Sequence, residues 1–189
     1  MRYVIRRLKL ALAGLVCVSA NGLAQEITPL TADDLVQIRQ LMDSYAQILD
    51  HCVGGGELYA DLFAEDGTFG VSSEWGGGEK IWFRGREELA RVGGSGCGML
   101  QRIQGRSYHL NVNPLILATE DGAWSRSTLM TITNDTDNRG DIVHYEGGYE
   151  DTYVRTDDGW RFHSRVHVWE EIEWTDRPED MLPRNLADE

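Results

Sequence analysis

Two side chains whose types suit proton transfer, Asp50 and His109, stand out in the sequence. Asp50 follows an apolar stripe with helical spacing, at the helix end where the dipole disfavours a carboxylate. It is either a solvated helix end or a carboxylate that a partner keeps ionised inside a cavity. His109 alternates with Asn111 and Asn113 on one face of a segment with strand periodicity. An imidazole there can take a proton near neutral pH if a carboxylate holds its other nitrogen, but spacing alone does not pair the two residues.

Aromatic side chains form the second group of candidates. Any one of them is more often a core residue than a ligand contact, but together they suit a flat, apolar, aromatic or polycyclic substrate. The predicted substrate-binding set is Tyr45, Tyr59, Trp82, Trp124 and Tyr149, with Asn113 as a polar contact.

The elements that position these residues change periodicity along the chain. Apolar residues at spacings of three and four predict a helix from Thr31 to about Asp50, with Asp34 completing a capping box. Two shorter helices are expected at about 57–64 and 86–92, and short strands at 68–71 and 81–84. From residue 106 the period becomes two, which predicts four strands at about 106–118, 123–134, 142–156 and 159–170.

This order of elements predicts an α+β fold, a cone-shaped barrel in which the N-terminal helices pack into a strongly bent antiparallel sheet. Gly147-Gly148 indicates a bulge or a sharp bend in the third long strand. Strict alternation along the last strand places Arg161, His163, Arg165 and His167 on one face, expected to be the outer side of the sheet.

The two ends of the chain differ in character from its middle. Residues 1–24 have a basic start, a short apolar core and small residues before Ala24, which is the pattern of a secretory signal peptide. We therefore expect an exported protein, periplasmic or secreted, whose α+β domain spans 25–170. Residues 171–189 are acidic and lack periodicity, so we expect a surface tail that packs on the domain or on a neighbouring subunit.

Composition excludes several classes of function. The 189 residues carry 31 acidic and 18 basic side chains, a net charge of −13, which disfavours nucleic acid and anionic membrane surfaces as partners. No motif for a nucleotide, flavin or nicotinamide cofactor and no cluster with metal-ligand spacing is present, so we predict neither cofactor nor metal. Cys52 and Cys97 both border glycine-rich stretches, and a disulfide between them is left open.

Several segments in the same order resemble the SnoaL-like branch of the nuclear-transport-factor-two-like superfamily. These are 45–50, 62–69, 85–89, 109–113, 147–153 and 158–162. Members of that superfamily include dehydratases, steroid isomerases and a dehydrochlorinase. In such enzymes an Asp that ends the first helix orients a His on the first long strand, and the resemblance places Asp50 and His109 in those two positions. It does not fix the reaction, because Leu49 replaces a Tyr of the dehydratase and Arg155 lies one position from the Arg of the dehydrochlorinase.

The resemblance implies a cofactor-independent lyase, of the dehydratase or retro-aldol type, in which His109 is the general base and Asp50 its orienting partner. An isomerase that uses the same base is a close variant. An exported protein that binds a small apolar ligand without chemistry, and a structural module with a filled interior, are the competing classes. We expect a hydrophobic small molecule as the partner and a homo-oligomer, either dimer or trimer.

Overall fold

The computed structural model describes residues 27–72, 80–102, 107–135 and 140–168. The predicted signal peptide and acidic tail lie outside these ranges. The described helices are α1 (Ala32–His51), α2 (Glu57–Ala60) and α3 (Gly85–Arg102), with a 3₁₀ turn at Val53–Gly56. The described strands are β1 (Phe63–Ser72), β2 (Lys80–Arg84), β3 (Ser107–Thr119), β4 (Gly122–Asp135), β5 (Gly140–Thr156) and β6 (Gly159–Val168). None of the described helices is both long and apolar enough to cross a membrane.

Helix α1 begins and ends as its sequence predicts. Thr31 is the N-cap, and its hydroxyl and backbone N–H form the reciprocal capping box with Asp34. The Asp34 carboxylate also accepts a hydrogen bond from the Trp160 indole at 3.1 Å and contacts Arg155. These contacts fasten the start of α1 to the sheet. At the other end Cys52 adopts a left-handed conformation and closes the helix.

The sheet has the order β2-β1-β6-β5-β4-β3 and curves around the helices as a cone-shaped α+β barrel. Strands β3 to β6 form the predicted antiparallel meander. The sheet is mixed rather than antiparallel throughout, because β1 runs parallel to β6. Tight turns force neighbouring strands to run antiparallel, whereas β1 and β6 lie far apart in the chain and no turn fixes their relative direction.

Bulges interrupt three of the long strands and decide which side chains face inward. The predicted irregularity at Gly147 is confirmed by a register shift against β4 and by its positive φ of 83°. A second bulge lies at Asn113 and Pro114 in β3. A third leaves His163 without a cross-strand pair between Phe162 and Ser164, so the alternation of β6 shifts by one residue.

The bulge at His163 overturns the predicted outer position of Arg165. Phe162 faces the interior and is fully buried, and the extra residue then turns Arg165 rather than Ser164 inward. The Arg165 side chain is 0% exposed. Sequence alternation could not find it, because a bulge has no reliable signature in a single strand.

Two element boundaries also differ from prediction. The second helix ends at Ala60 rather than near 64, because Phe63 starts β1 and pairs with Phe162 of β6. Helix α3 runs to Arg102 rather than ending near 92. Its glycines lower helix propensity, but Gly93 allows the close approach of Tyr59, whose Cβ would lie 2.6 Å from a Cβ at that position. Tertiary packing therefore overrides local propensity in α3.

The core lies between the helices and the concave face of the sheet. Buried apolar side chains from α1, α2, α3 and four strands form one cluster there. Its members include Ile38, Met42, Tyr45, Tyr59, Phe63, Phe69, Tyr149, Tyr153, Trp160 and Phe162. This cluster surrounds the polar groups described next.

Candidate functional site

Asp50 and His109 meet at the end of α1 and the start of β3. One oxygen of the Asp50 carboxylate accepts the backbone N–H of His109 at 2.7 Å, and the other contacts Nδ1 of its ring. The Asp50 side chain is 3% exposed and that of His109 is 17% exposed. The fold thus brings together the two residues that sequence spacing alone could not pair.

The contacts of Asp50 determine which nitrogen of His109 is available. A carboxylate can only accept, so the hydrogen-bond network assigns the ring proton to Nδ1 and leaves the Nε2 lone pair unshared. Because Asp50 lies at the negative end of the α1 dipole, the His109 N–H and ring offset an otherwise unfavourable position. An imidazole held in this tautomer can accept a proton at Nε2, and the adjacent carboxylate stabilises the resulting imidazolium.

A buried group of polar side chains adjoins this pair and is called the interior polar cluster: Asn111, Ser125, Asp151, Tyr153 and Arg165. Arg165 donates to Asp151 Oδ2 at 3.2 Å and to the side-chain oxygen Oδ1 of Asn111 at 3.3 Å. Asp151 Oδ2 also accepts from the Tyr153 hydroxyl at 3.0 Å. Asn111 lies two residues beyond His109 in β3, and its amide donates to the Met42 carbonyl of α1 at 3.3 Å. The cluster therefore continues the wall that begins at His109.

Two of the predicted tyrosines, Tyr45 and Tyr149, lie against the Arg165 guanidinium, and a third, Tyr59, packs against Tyr45. The central carbon of the guanidinium lies 3.7 Å from the ring centroid of Tyr149 and 4.0 Å from that of Tyr45. The ring centroids of Tyr45 and Tyr59 are 5.3 Å apart. Stacking of a buried guanidinium between aromatic faces compensates part of its lost hydration. The interior thus combines a fixed positive charge with tyrosine side chains.

Burial shifts the pKa values of several of these groups. It raises the pKa of Asp151 from 3.8 to about 6, against the opposing effects of Arg165, Tyr153 and Ser125. Burial and the neighbouring Tyr45 raise the pKa values of Tyr59 and Tyr149 well above their usual range. Both tyrosines therefore stay protonated and can donate hydrogen bonds.

Some buried polar atoms of this region have no hydrogen-bond partner among the described residues. They are the hydroxyl oxygen of Tyr59, Oδ1 of Asp151, Oγ of Ser127 and Nε of Arg165. Ser127 pairs across the sheet with Tyr149, and Ser125 pairs with Asp151. Both serines therefore lie on the inner face of β4. Unsatisfied buried polar atoms are rare in folded proteins and favour a polar ligand or water at such a site.

The remaining predicted contacts are not brought to this group. Trp124 lies on the opposite face of β4, because its neighbour Ser125 turns inward to Asp151. Trp82 packs against Gly70 on β1, while the adjacent Phe83 takes the core side and stacks on Phe69.

Asn113 is the last of the predicted contacts that lies elsewhere. It is exposed in the β3 bulge with a φ of 51°, because the bulge ends the alternation that keeps His109 and Asn111 on one face. Strand alternation holds as far as Asn111 and fails at the bulge.

The sequence reasoning missed Asp151 as well as Arg165. A signal for Asp151 was present, because Tyr149, Asp151 and Tyr153 share one face of a strand and place a carboxylate among aromatic rings. Arg165 had no such signal, since the bulge moved it.

Other parts of the described chain hold no comparable constellation. No group of three or more His, Cys, Asp or Glu side chains within the described ranges is arranged to bind a metal ion. A shallow surface groove of about 560 Å³ lies between the start of α2 and α3 and is lined by Glu57, Arg86, Glu87, Ala90 and Arg91. None of the predicted site residues lines that groove.

A helix-lined, strongly curved sheet of this kind is the architecture of a cone-shaped α+β barrel. Residues 31–166 match the SnoaL-like domain family, and the chain belongs to that family. No protein with a curated description matches the chain.

Solved structures with similar folds have low sequence identity to this chain. A putative scytalone dehydratase from Novosphingobium aromaticivorans is 26% identical, with a TM-score of 0.53, over 71% of this chain and 82% of that one. Rv3472 from Mycobacterium tuberculosis, described as of unknown function, is 23% identical, with a TM-score of 0.59, over 75% and 74% of the two chains. A Catenulispora acidiphila protein in complex with S-DNPA is 23% identical, with a TM-score of 0.57, over 72% and 95%. Proteins of similar fold thus include one named as a putative dehydratase and one in complex with S-DNPA.

Proposed function

We propose that this protein is a cofactor-independent lyase in which His109 is the general base and Asp50 holds and stabilises it. The observation that carries the proposal is the two-point contact of Asp50, to the backbone N–H and to Nδ1 of His109. A salt bridge with a purely structural role does not need to fix the ring in one tautomer. This arrangement does so, and it directs Nε2 away from Asp50.

The proposed step is an elimination without a cofactor. Nε2 of His109 removes a proton from the carbon next to a substrate carbonyl, and the electron pair forms an enolate. The enolate expels a β-hydroxyl group, which takes a proton back from the imidazolium and leaves as water. A retro-aldol cleavage begins instead when the same base removes a hydroxyl proton. The adjacent carbon–carbon bond then breaks to give a carbonyl compound and an enolate, and the enolate carbon takes the proton back from the imidazolium.

The interior polar cluster and its tyrosines support the developing negative charge. Tyr45 and Tyr149 lie against the positive guanidinium of Arg165, and Tyr59 packs against Tyr45. Fixed donors and a fixed positive charge in a buried site stabilise an enolate oxygen more strongly than water does. The aromatic walls favour a small apolar substrate with a carbonyl group.

Two alternatives use the same site. An isomerase would return the proton from His109 to another carbon rather than expel water. A binding protein would hold an apolar ligand against the tyrosines and carry out no reaction. The SnoaL-like relative with a bound small molecule favours a ligand in either case.

The test uses two probes with defined chemistry. A nitrobenzisoxazole opens to a coloured phenolate when a base removes its ring proton, and therefore reports a base in an apolar site. A tetralone with a hydroxyl β to its ketone loses water to give a naphthol, and reports the lyase reaction. We expect His109→Gln to slow both reactions by about 10²–10⁴-fold with the fold retained.

Matched variants separate catalysis from stability. His163→Gln changes a half-exposed histidine in the β6 bulge, and Asp43→Asn changes an exposed carboxylate on α1, so both should keep wild-type rates. Asp50→Asn should slow turnover but add little to His109→Gln, because Asp50 acts through His109. A folded His109→Gln protein with the wild-type rate contradicts the proposal. Binding of the tetralone without any turnover by the wild type favours the binding protein.

A further inference from the structure

Two cysteines that the proposed chemistry does not use lie near each other where the end of α1, just after Asp50, meets α3. The thiol of Cys52, at the end of α1, lies 3.9 Å from the Leu49 carbonyl oxygen. The thiol of Cys97, in α3, lies 4.0 Å from the same oxygen. Both are free thiols in this structure. Two sulfur atoms that share one acceptor are close neighbours in space although they are distant in the chain.

The backbone segments that carry the two thiols approach each other closely. A Cβ at Gly93, one turn before Cys97, would lie 3.1 Å from Gly56 Cα. A Cβ at Gly96 would lie 2.9 Å from a methyl group of Leu49. The glycines that weaken α3 as an isolated helix therefore allow it to contact the end of α1 and the turn that follows. A disulfide needs such close backbones, because its Cα atoms must lie within about 7 Å of each other.

We propose that Cys52 and Cys97 form a disulfide that fastens the end of α1, including Asp50, to α3. Cys52 is two residues from Asp50, so the link restrains the helix turn that presents the carboxylate to His109. This inference is independent of the proposed reaction, because it concerns the two thiols alone. The oxidant is a small-molecule disulfide such as oxidised glutathione.

The two thiols differ in their suitability for each step of the exchange. Cys52 is partly exposed, whereas Cys97 is 7% exposed. Burial and the hydrogen bond with Cys52 raise the pKa of Cys97 to about 12, which leaves little thiolate on Cys97. Cys52 therefore attacks the glutathione disulfide as a thiolate and releases one glutathione thiolate. Cys97 then loses its proton and attacks the Cys52 sulfur, which releases the second glutathione. One disulfide is reduced to two thiols while two protein thiols are oxidised to one disulfide.

Peptide mapping of the full chain tests the link directly. The native protein is incubated with excess oxidised glutathione, its remaining thiols are alkylated under denaturing conditions, and it is digested with trypsin. The three cysteines lie in separate tryptic peptides, 10–39, 40–80 and 92–102. We expect a single species in which 40–80 and 92–102 are joined, about 2 Da lighter than the two reduced peptides together. Glutathione adducts without this species, or a link that includes Cys17, would overturn the proposal.

The effect of the disulfide on thermal stability and on amide hydrogen exchange provides a second measurement. The link closes a long loop of the unfolded chain, so the oxidised protein should melt roughly 5–15 °C higher than the reduced protein. Amide hydrogen exchange in the last turn of α1 should slow on oxidation. Cys52→Ser and Cys97→Ser should each abolish both differences, and Cys17→Ser should keep them. Equal melting temperatures and equal exchange in the linked and reduced proteins would contradict the fastening role.

Discussion

Replacement of Asp151 by asparagine tests whether burial raises the pKa of this carboxyl in the folded protein. Asp151 is fully buried beside Arg165, and burial raises its pKa from 3.8 to about 6. The folded protein therefore binds a proton at this carboxyl more tightly than the unfolded chain does. The stabilisation of the folded state by this tighter proton binding is fully present below about pH 3.8 and is lost as the pH rises through about 6.

The size of the effect follows from the interval between the two pKa values. The shift from 3.8 to about 6 corresponds to about 3 kcal/mol in the free energy of unfolding across the whole transition. Of this change in the free energy of unfolding, about 1.4 kcal/mol occurs between about pH 8 and pH 5. The amide of Asp151→Asn does not titrate in this range. The stability of the variant relative to the wild type should therefore rise by these amounts as the pH increases.

The pH dependence is more informative than the stability at one pH. An amide donates two hydrogens where a protonated carboxyl donates one, and that difference adds a constant cost at all pH values. The constant cost cancels when the variant-minus-wild-type difference is compared between two pH values. Contributions from all other titrating groups cancel in the same way, provided that the substitution leaves their surroundings unchanged.

Urea unfolding of both proteins from about pH 5 to pH 8 measures this difference. Asp43→Asn is the control, because Asp43 forms an exposed ion pair with Arg39 on α1 and should give no rise of this kind. A flat difference curve for Asp151→Asn would refute the reasoning. A curve that falls with increasing pH would show that the attraction of Arg165 for the ionised carboxylate exceeds the cost of burying it.

Two further predictions concern the ends of α1 and the contact with α3. Gly56→Ala should lower the free energy of unfolding by about 3 kcal/mol, because a Cβ at its φ of 111° would lie 2.1 Å from the Ala90 carbonyl oxygen. The control Gly55→Ala should lower it by only about 1 kcal/mol, because a Cβ there has open space and only the φ of 61° is unfavourable. Equal losses in urea unfolding would contradict that packing explanation. Thr31→Ala should cost about 1 kcal/mol, because it removes the hydroxyl that accepts the Asp34 N–H, and unchanged stability would show that solvent replaces the cap.

Local chemistry predicted the elements of this fold with good accuracy. The capping box at Thr31 and the spacing of apolar residues in α1 correspond to the observed helix. The meander of β3 to β6 follows from alternation and from the turn residues between the strands. The parallel pairing of β1 with β6 could not be predicted in this way, because it joins segments that no short turn connects.

The site was predictable only where strand alternation holds. His109 and Asn111 share the inner face of β3 as expected, but Asn113 leaves it at a bulge. Arg165 enters the interior because of a bulge at His163, so the same irregularity that hid it from the sequence creates the interior polar cluster. Recognition of the dyad needed tertiary information, which the resemblance to a family supplied.

The composition of the interior is itself an argument about function. A buried ion pair is often less stabilising than apolar side chains of similar volume, because both charges lose their hydration. Here the raised pKa of Asp151 indicates that burial exceeds the compensation from Arg165, Tyr153 and Ser125. A structural core gains nothing from such a pair at neutral pH. A fixed guanidinium that is hydrogen-bonded to Asn111, two residues beyond the base in β3, does have a use in the proposed reaction, because it stabilises the negative charge that proton removal creates.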